Sequence, residues 1–115
     1  MHDFRRLEVW HDSVAIAKAT YSVTEKFPAS EVWGLTAQLR RAVISVSSNI
    51  AEGAGRSSTR EFRRFLSMAR GSLFEVDSQL EVARQLGYLE DAGGISEQLG
   101  RLGRRLSTLM ATLGD

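Results

Sequence analysis

The chain has 115 residues, 15 basic and 14 acidic, for a formal charge of +1; overall electrostatics therefore singles out no nucleic-acid partner, and such contact must rest on local clusters. That length suits one domain, residues 1–115, burying about two thirds of its unfolded surface in a single core. The absence of Cys removes disulfides and thiolate metal sites, and with no apolar signal core after Met1 and no run near the roughly 18 apolar residues of a membrane span, a cytoplasmic protein with no membrane partner is expected.

Four amphipathic segments are predicted, at about residues 8–26, 35–53, 59–86 and 92–113. A short arm anchored by Phe4 and Leu7 leads into the first. That helix should stop before Phe27-Pro28, because the residue preceding proline avoids the helical region. It shows two apolar lines: Trp10, Val14, Ala17, Tyr21 and Thr24, and beside them Val9, Ile16, Thr20, Val23 and Phe27. One stripe is enough for a monomeric bundle, so the second argues for self-association or for a wide core face. The connector Pro28–Gly34 offers Ser30 as a cap for a short turn carrying Trp33.

The second helix has two unlike faces. Leu35, Leu39, Ala42, Val43, Val46 and Ile50 gather into a core stripe, while Gln38, Arg41, Ser45, Asn49, Glu52 and Arg56 gather on another side. A row of short uncharged groups differs from an ordinary Lys/Glu exterior and fits a surface that meets another subunit or a ligand. A plain polar exterior is the alternative. Val43, Ile44 and Val46 favour strands, and Ile44–Ser47 alternates like one, but no second strand exists to pair with it.

Gly53–Ser57 reads as a tight joint, and Ser58-x-x-Glu61 as a capping box opening the third helix. Phe62, Phe65, Ala69, Leu73, Val76, Leu80 and Ala83 follow in heptad steps, with Gly87 as the left-handed stop. Its Gly71-Ser72 pair permits a close neighbour or a slight bend. Tyr88 and Leu89 should tuck under the bundle end. The fourth helix carries Ile95, Leu99, Leu102, Leu106, Leu109 and Leu113, weakened by Gly100 and Gly103. Short connections between four such segments describe an all-α, antiparallel, up-down-up-down four-helix bundle.

Little here supports catalysis. A di-metal bundle needs paired Glu-x-x-His motifs, and only Glu8-x-x-His11 occurs. No Ser or Thr has a positioned His, so the familiar nucleophilic machineries lack their parts. Neither a metal nor a cofactor is expected. Gly53–Ser58 leads into a helix start but follows a helix and lacks the Lys-Ser/Thr ending of a nucleotide loop, which leaves a looser anion contact through Arg56 or a simple turn. Thirteen of the basic residues are Arg, the side chain suited to bidentate phosphate contact. Arg60, Arg63 and Arg64 cluster opposite the third helix's apolar stripe, as Arg101, Arg104 and Arg105 do on the fourth. Such patches bind nucleic-acid phosphates or form a solvated face, Glu97 supporting Arg101 and Glu52 supporting Arg56 at i,i+4. No aromatic residue is interleaved with them to stack bases.

Leu7-x-Val9-Trp10, Phe27-Pro28, Glu31-x-x-Gly34-Leu35, Gln38-Leu39-Arg40-Arg41-Ala42, Ser45, Ser48-Asn49-Ile50-Ala51-Glu52-Gly53, Gly55-Arg56, Glu61-Phe62, Phe65-Leu66 and Ala69-x-Gly71-Ser72 together resemble the small bacterial four-helix-bundle proteins encoded within 23S rRNA intervening sequences. The match is specific through residue 90 and generic in the fourth helix. The resemblance implies a bundle assembling as a ring-shaped homopentamer, without an established enzymatic activity. A related branch, the accessory variability determinant proteins of diversity-generating retroelements, is similar in fold and binds a reverse transcriptase and nucleic acid; its strongly basic charge sets it apart from this chain. By that resemblance, the row of Gln38, Arg41, Ser45, Asn49 and Glu52, with Arg56, would meet a neighbouring subunit or a channel, unless Asn49 instead closes the joint to the third helix. Two functions follow as expectations: a non-enzymatic homo-oligomeric accessory protein presenting Arg56, Arg60, Arg63, Arg64, Arg101, Arg104 and Arg105 to RNA or DNA, or a scaffold that recruits a protein partner without touching nucleic acid.

Overall fold

Proline at 28 and glycines at 53, 55 and 87 divide the chain where its apolar periodicity is interrupted. A computed structural model describes residues 1–114 and contains four helices: α1 (Glu8–Thr24), α2 (Leu35–Ala54), α3 (Thr59–Gln85) and α4 (Gly93–Leu113). Single 3-10 turns occupy Phe4–Arg6 and Ala29–Glu31, and no strand occurs among the described residues. Ile44–Ser47 lies within α2, where its β-branched side chains yield to the tertiary packing of Val43, Val46 and Ile50 in the core.

Each helix runs against its neighbours. Arg40 near the start of α2 reaches Thr24 at the end of α1 (3.0 Å), and Gly53 at the end of α2 faces Phe62 and Phe65 at the start of α3. Arg70 in the first half of α3 meets Ser107 in the second half of α4 (3.1 Å), and Arg105 meets Asp12 near the start of α1 (2.6 Å). The contacts run α1 to α2 to α3 to α4 and back to α1, the closed square of an antiparallel up-down-up-down bundle.

The core stripes of α2, α3 and α4 follow the sequence, with Leu39, Val43, Ile50, Val76, Leu102 and Leu106 fully enclosed; Leu66 joins the α3 stripe, and Leu35, Leu109 and Leu113 are only half-buried. In α1 the core line is Val9, Ser13, Ile16, Thr20 and Thr24, while Trp10, Val14 and Ala17 are half-buried and Tyr21 is exposed. Of the two lines on α1, one is core and the other its flank. Ser13 donates to the Trp10 carbonyl (2.6 Å) and Thr24 to that of Thr20 (2.8 Å), so two of the three hydroxyls on this core face are satisfied within the helix, while that of Thr20 has no hydrogen-bond partner among the described residues.

The ends carry the details. Gly87 takes φ +83°, and the Tyr88 amide donates to the Ala83 carbonyl (2.9 Å), which closes α3 as expected. Ser58 Oγ accepts from the Glu61 amide (3.1 Å), but the Glu61 carboxylate turns to Arg64, so only half of the capping box forms. Ser30 lies inside its turn and caps nothing. Glu31 caps α2 instead, with Oε1 accepting from the Leu35 amide (2.9 Å) and Oε2 from the Tyr88 hydroxyl (2.8 Å), which joins the start of α2 to the α3–α4 connection. A side chain at Gly34 would sit 2.6 Å from Glu31 Oε1. The Tyr88 ring packs at a tilt against buried Phe27, and Trp33 is left 89% exposed.

Candidate nucleic-acid interface

Antiparallel packing gathers the N-terminal arm, the α2–α3 joint, the first half of α3 and the second half of α4 into one half of the bundle. The His2 amide donates to the Ala54 carbonyl (2.7 Å) and its ring packs on Phe62, fixing the arm beside the joint. Ten of the thirteen arginines lie in this half or on its border: Arg5, Arg6, Arg56, Arg60, Arg63, Arg64, Arg70, Arg101, Arg104 and Arg105. They face five carboxylates, those of Asp3, Glu8, Asp12, Glu52 and Glu61. The opposite half reverses the balance: among the described residues, Lys18, Lys26, Arg40, Arg41 and Arg84 stand against Glu25, Glu31, Glu75, Asp77, Glu81, Glu90, Asp91 and Glu97. The charge of +1 therefore hides a strong dipole along the bundle.

The arginines differ in what already holds them. Arg56 pairs with Glu52 (2.8 Å) and lies over the Phe65 ring, as does Arg64, whose fork is taken by Glu61. That fork holds the Glu61 carboxyl below its ordinary range and raises Arg64. With Ser58 capping and Arg56 paired, the joint holds these groups in local bonds. Arg60 is exposed and Arg63 half-buried; with Arg64, Ser67 and Met110 they border a shallow depression between α3 and α4. Arg105 is raised by its hydrogen bond to Asp12. Arg101 and Arg104 form no ion pair among the described residues, Glu97 included, and with Arg6 and Arg105 they line a groove of about 510 Å³ between α1 and α4, floored by Leu7, Val9 and Leu109.

The polar row of α2 runs along its seam with α3. Ser45 Oγ meets Ser72 Oγ at 2.9 Å, which uses the small residue of the Gly71-Ser72 pair for close helix approach. Gly71 itself points to open space. Asn49 donates back to the Ser45 carbonyl (2.9 Å) and hydroxyl (3.1 Å), so it stiffens α2 and does not close the joint. Gln38, Arg41 and Glu52 are exposed.

Phe74 and Arg70 are functional candidates that the sequence alone did not single out. Phe74 is 66% exposed beside a groove of about 660 Å³ between α3 and α4, lined also by Arg70, Leu73, Gly100, Gly103 and Arg104. The signal was present: Phe74 follows Leu73, hence sits about 100° off the core stripe, where an aromatic has no place in the core. His11 Nε2 lies 2.7 Å from the Arg5 carbonyl, tying the arm to α1. Among the described residues no three His, Asp or Glu side chains come together as a metal site, and no helix is long and apolar enough to cross a membrane.

No curated protein matches this sequence. A family model described as "23S rRNA-intervening sequence protein" matches residues 5–108, which takes in all four helices up to the last turn of α4. The chain therefore belongs to the 23S rRNA-intervening sequence proteins.

Proposed function

We propose that this chain is a non-enzymatic, homo-oligomeric accessory protein that binds RNA or DNA phosphates with its arginine-bearing half. The observation that carries the reading is the segregation of ten of thirteen arginines, with Arg6, Arg101 and Arg104 free of ion pairs among the described residues and bordering open grooves. Such an array supplies local positive potential that a near-neutral total charge conceals. The assembly is a pentameric ring by resemblance to the family, and the α2–α3 seam is the surface offered for it: small groups at Ser45, Ser72 and Gly71 allow close approach, and Met68 stands exposed on α3. Light scattering gives the particle mass. Titration with a labelled structured RNA at rising salt then tests the binding, because displaced counterions make log affinity fall by about 0.7 to 0.9 per phosphate contact for each unit of log salt. An oligomer with a steep slope supports the proposal; one that ignores RNA and DNA supports a protein scaffold, for which Val32 and 89%-exposed Trp33 at the acidic end would be the contact.

A further inference from the structure

The α3–α4 groove combines three features that the bundle itself does not call for. First, Phe74 presents a ring that is 66% exposed, an apolar surface left without a partner inside the chain. Second, the wall opposite is α4 at Gly100 and Gly103, two glycines that cost a helix about 1 kcal/mol each relative to alanine. Packing does not demand them. Neither has positive φ, a Cβ at Gly103 would meet Leu73 at an ordinary 3.7 Å, and one at Gly100 would meet only the mobile head of Arg104 at 3.3 Å. What their missing side chains do is keep the slot beside Phe74 open. Third, Arg70 and Arg104 border the slot, and Arg63 lies about 10 Å farther along α3, seven residues at the helical rise. Arg70 donates one N–H to Ser107 and keeps its remaining donors. Asp77 is the one carboxylate among the groove's lining residues.

An aromatic face in a cationic groove is the arrangement that holds single strands, where each unpaired base stacks on a ring and the backbone runs along the positive walls. A paired base keeps both of its faces inside the duplex stack and cannot lie on Phe74. We propose that the α3–α4 groove takes an unpaired nucleotide of RNA or DNA, its base stacked on Phe74 and its flanking phosphates met by Arg104 and Arg70. This rests on the nucleic-acid reading above and narrows it from phosphate binding in general to single-stranded segments.

The test uses the full chain and a short fluorescein-labelled RNA, both as a single strand and annealed to its complement. Phe74→Ala should weaken single-strand binding by about fivefold or more while leaving duplex binding unchanged, and Phe74→Tyr, which keeps the ring, should restore it. Because Phe74 is exposed, the Ala variant should melt with the wild type. Equal losses for both ligands, or no loss for the single strand, would overturn the proposal. So would a changed particle mass for Phe74→Ala accompanied by loss of both ligands, which would assign the ring to a contact between copies. Wild-type protein that binds neither ligand would remove the broader nucleic-acid reading as well, whereas wild-type binding insensitive to Phe74→Ala would remove only the stacking site.

Discussion

The two ends of the bundle carry opposite charge balances and differ in what stands beside their unpaired groups. At the acidic end charges are spent on holding the chain together: Glu31 takes the Leu35 amide and the Tyr88 hydroxyl, Arg40 reaches Thr24 and covers the Tyr21 ring, and Arg84 grips Glu81, whose carboxyl is pulled down to about 2 by that contact and by Gln85. At the basic end Arg5–Asp3, Arg56–Glu52, Arg64–Glu61 and Arg105–Asp12 form ion pairs, and beside them Arg6, Arg101 and Arg104 have no carboxylate partner among the described residues and stand around grooves. A charge that stabilises its own fold is already engaged, whereas one left in open solvent beside a groove is available to a ligand. The free arginines beside grooves at the basic end are what the proposed recognition rests on, while Glu31 and Arg40 tie helices together at the acidic end.

A cavity in the core that both ends share should produce the largest effect. Leu102→Ala removes a fully buried side chain and should cost about 2–5 kcal/mol, read from urea or thermal unfolding, with binding lost only in proportion to unfolding. Next comes the joint of the basic end. A Cβ at Gly53 would lie 2.6 Å from Phe65 Cβ, so Gly53→Ala should cost about 1–3 kcal/mol and, by displacing the start of α3, weaken RNA binding more than its stability loss explains.

Glu31→Gln probes the acidic end, since the amide can keep both contacts, its oxygen accepting from Leu35 and its NH2 donating to the Tyr88 hydroxyl oxygen, but removes the charge that strengthens them. The Glu31 carboxyl is held below its ordinary 4.5, first by the Leu35 amide and then by Tyr88. A lowered carboxylate contributes stability that is complete above the unfolded value and lost as pH falls through the folded one. The difference in unfolding midpoint between wild type and Glu31→Gln should therefore be constant above about pH 4.5 and vanish in stronger acid, with RNA affinity at neutral pH unchanged. The smallest effect sharpens the contrast from the other side: Asp12→Asn releases Arg105 from its one carboxylate and should steepen the salt slope of RNA binding by about 0.7 to 0.9 while barely moving the melting point.

Most of the architecture was legible because α2, α3 and α4 advertise their buried faces with Leu, Ile, Val and Phe at helical spacing. On α1 the signal was blurred, since Ser13, Thr20 and Thr24 lie on the core face and only the structure shows two of these hydroxyls returning to their own helix. Glu31 was hidden as a cap because its two oxygens serve donors that are 4 and 57 residues away, and the second partner is set by tertiary packing. The arginine clusters were visible as runs, and the Glu52–Arg56 pair was readable from spacing. Their gathering into one half was not visible, because it depends on α3 starting where α4 ends. Phe74 and Arg70, four residues apart on one face of α3, were readable together, but Arg104 and the two glycines that face them lie on another helix.

Charge reversal at the two ends tests the central assignment most directly. Two double variants, Arg70→Glu with Arg104→Glu at the basic end and Lys18→Glu with Lys26→Glu at the acidic end, change the net charge by the same amount. Their affinities for one labelled RNA, measured by anisotropy at a fixed low salt, separate a located site from a general charge effect. Loss of binding in the first variant, with the second close to wild type, is the predicted result. Equal losses in both would contradict it and would mean that RNA responds only to the total charge of the protein.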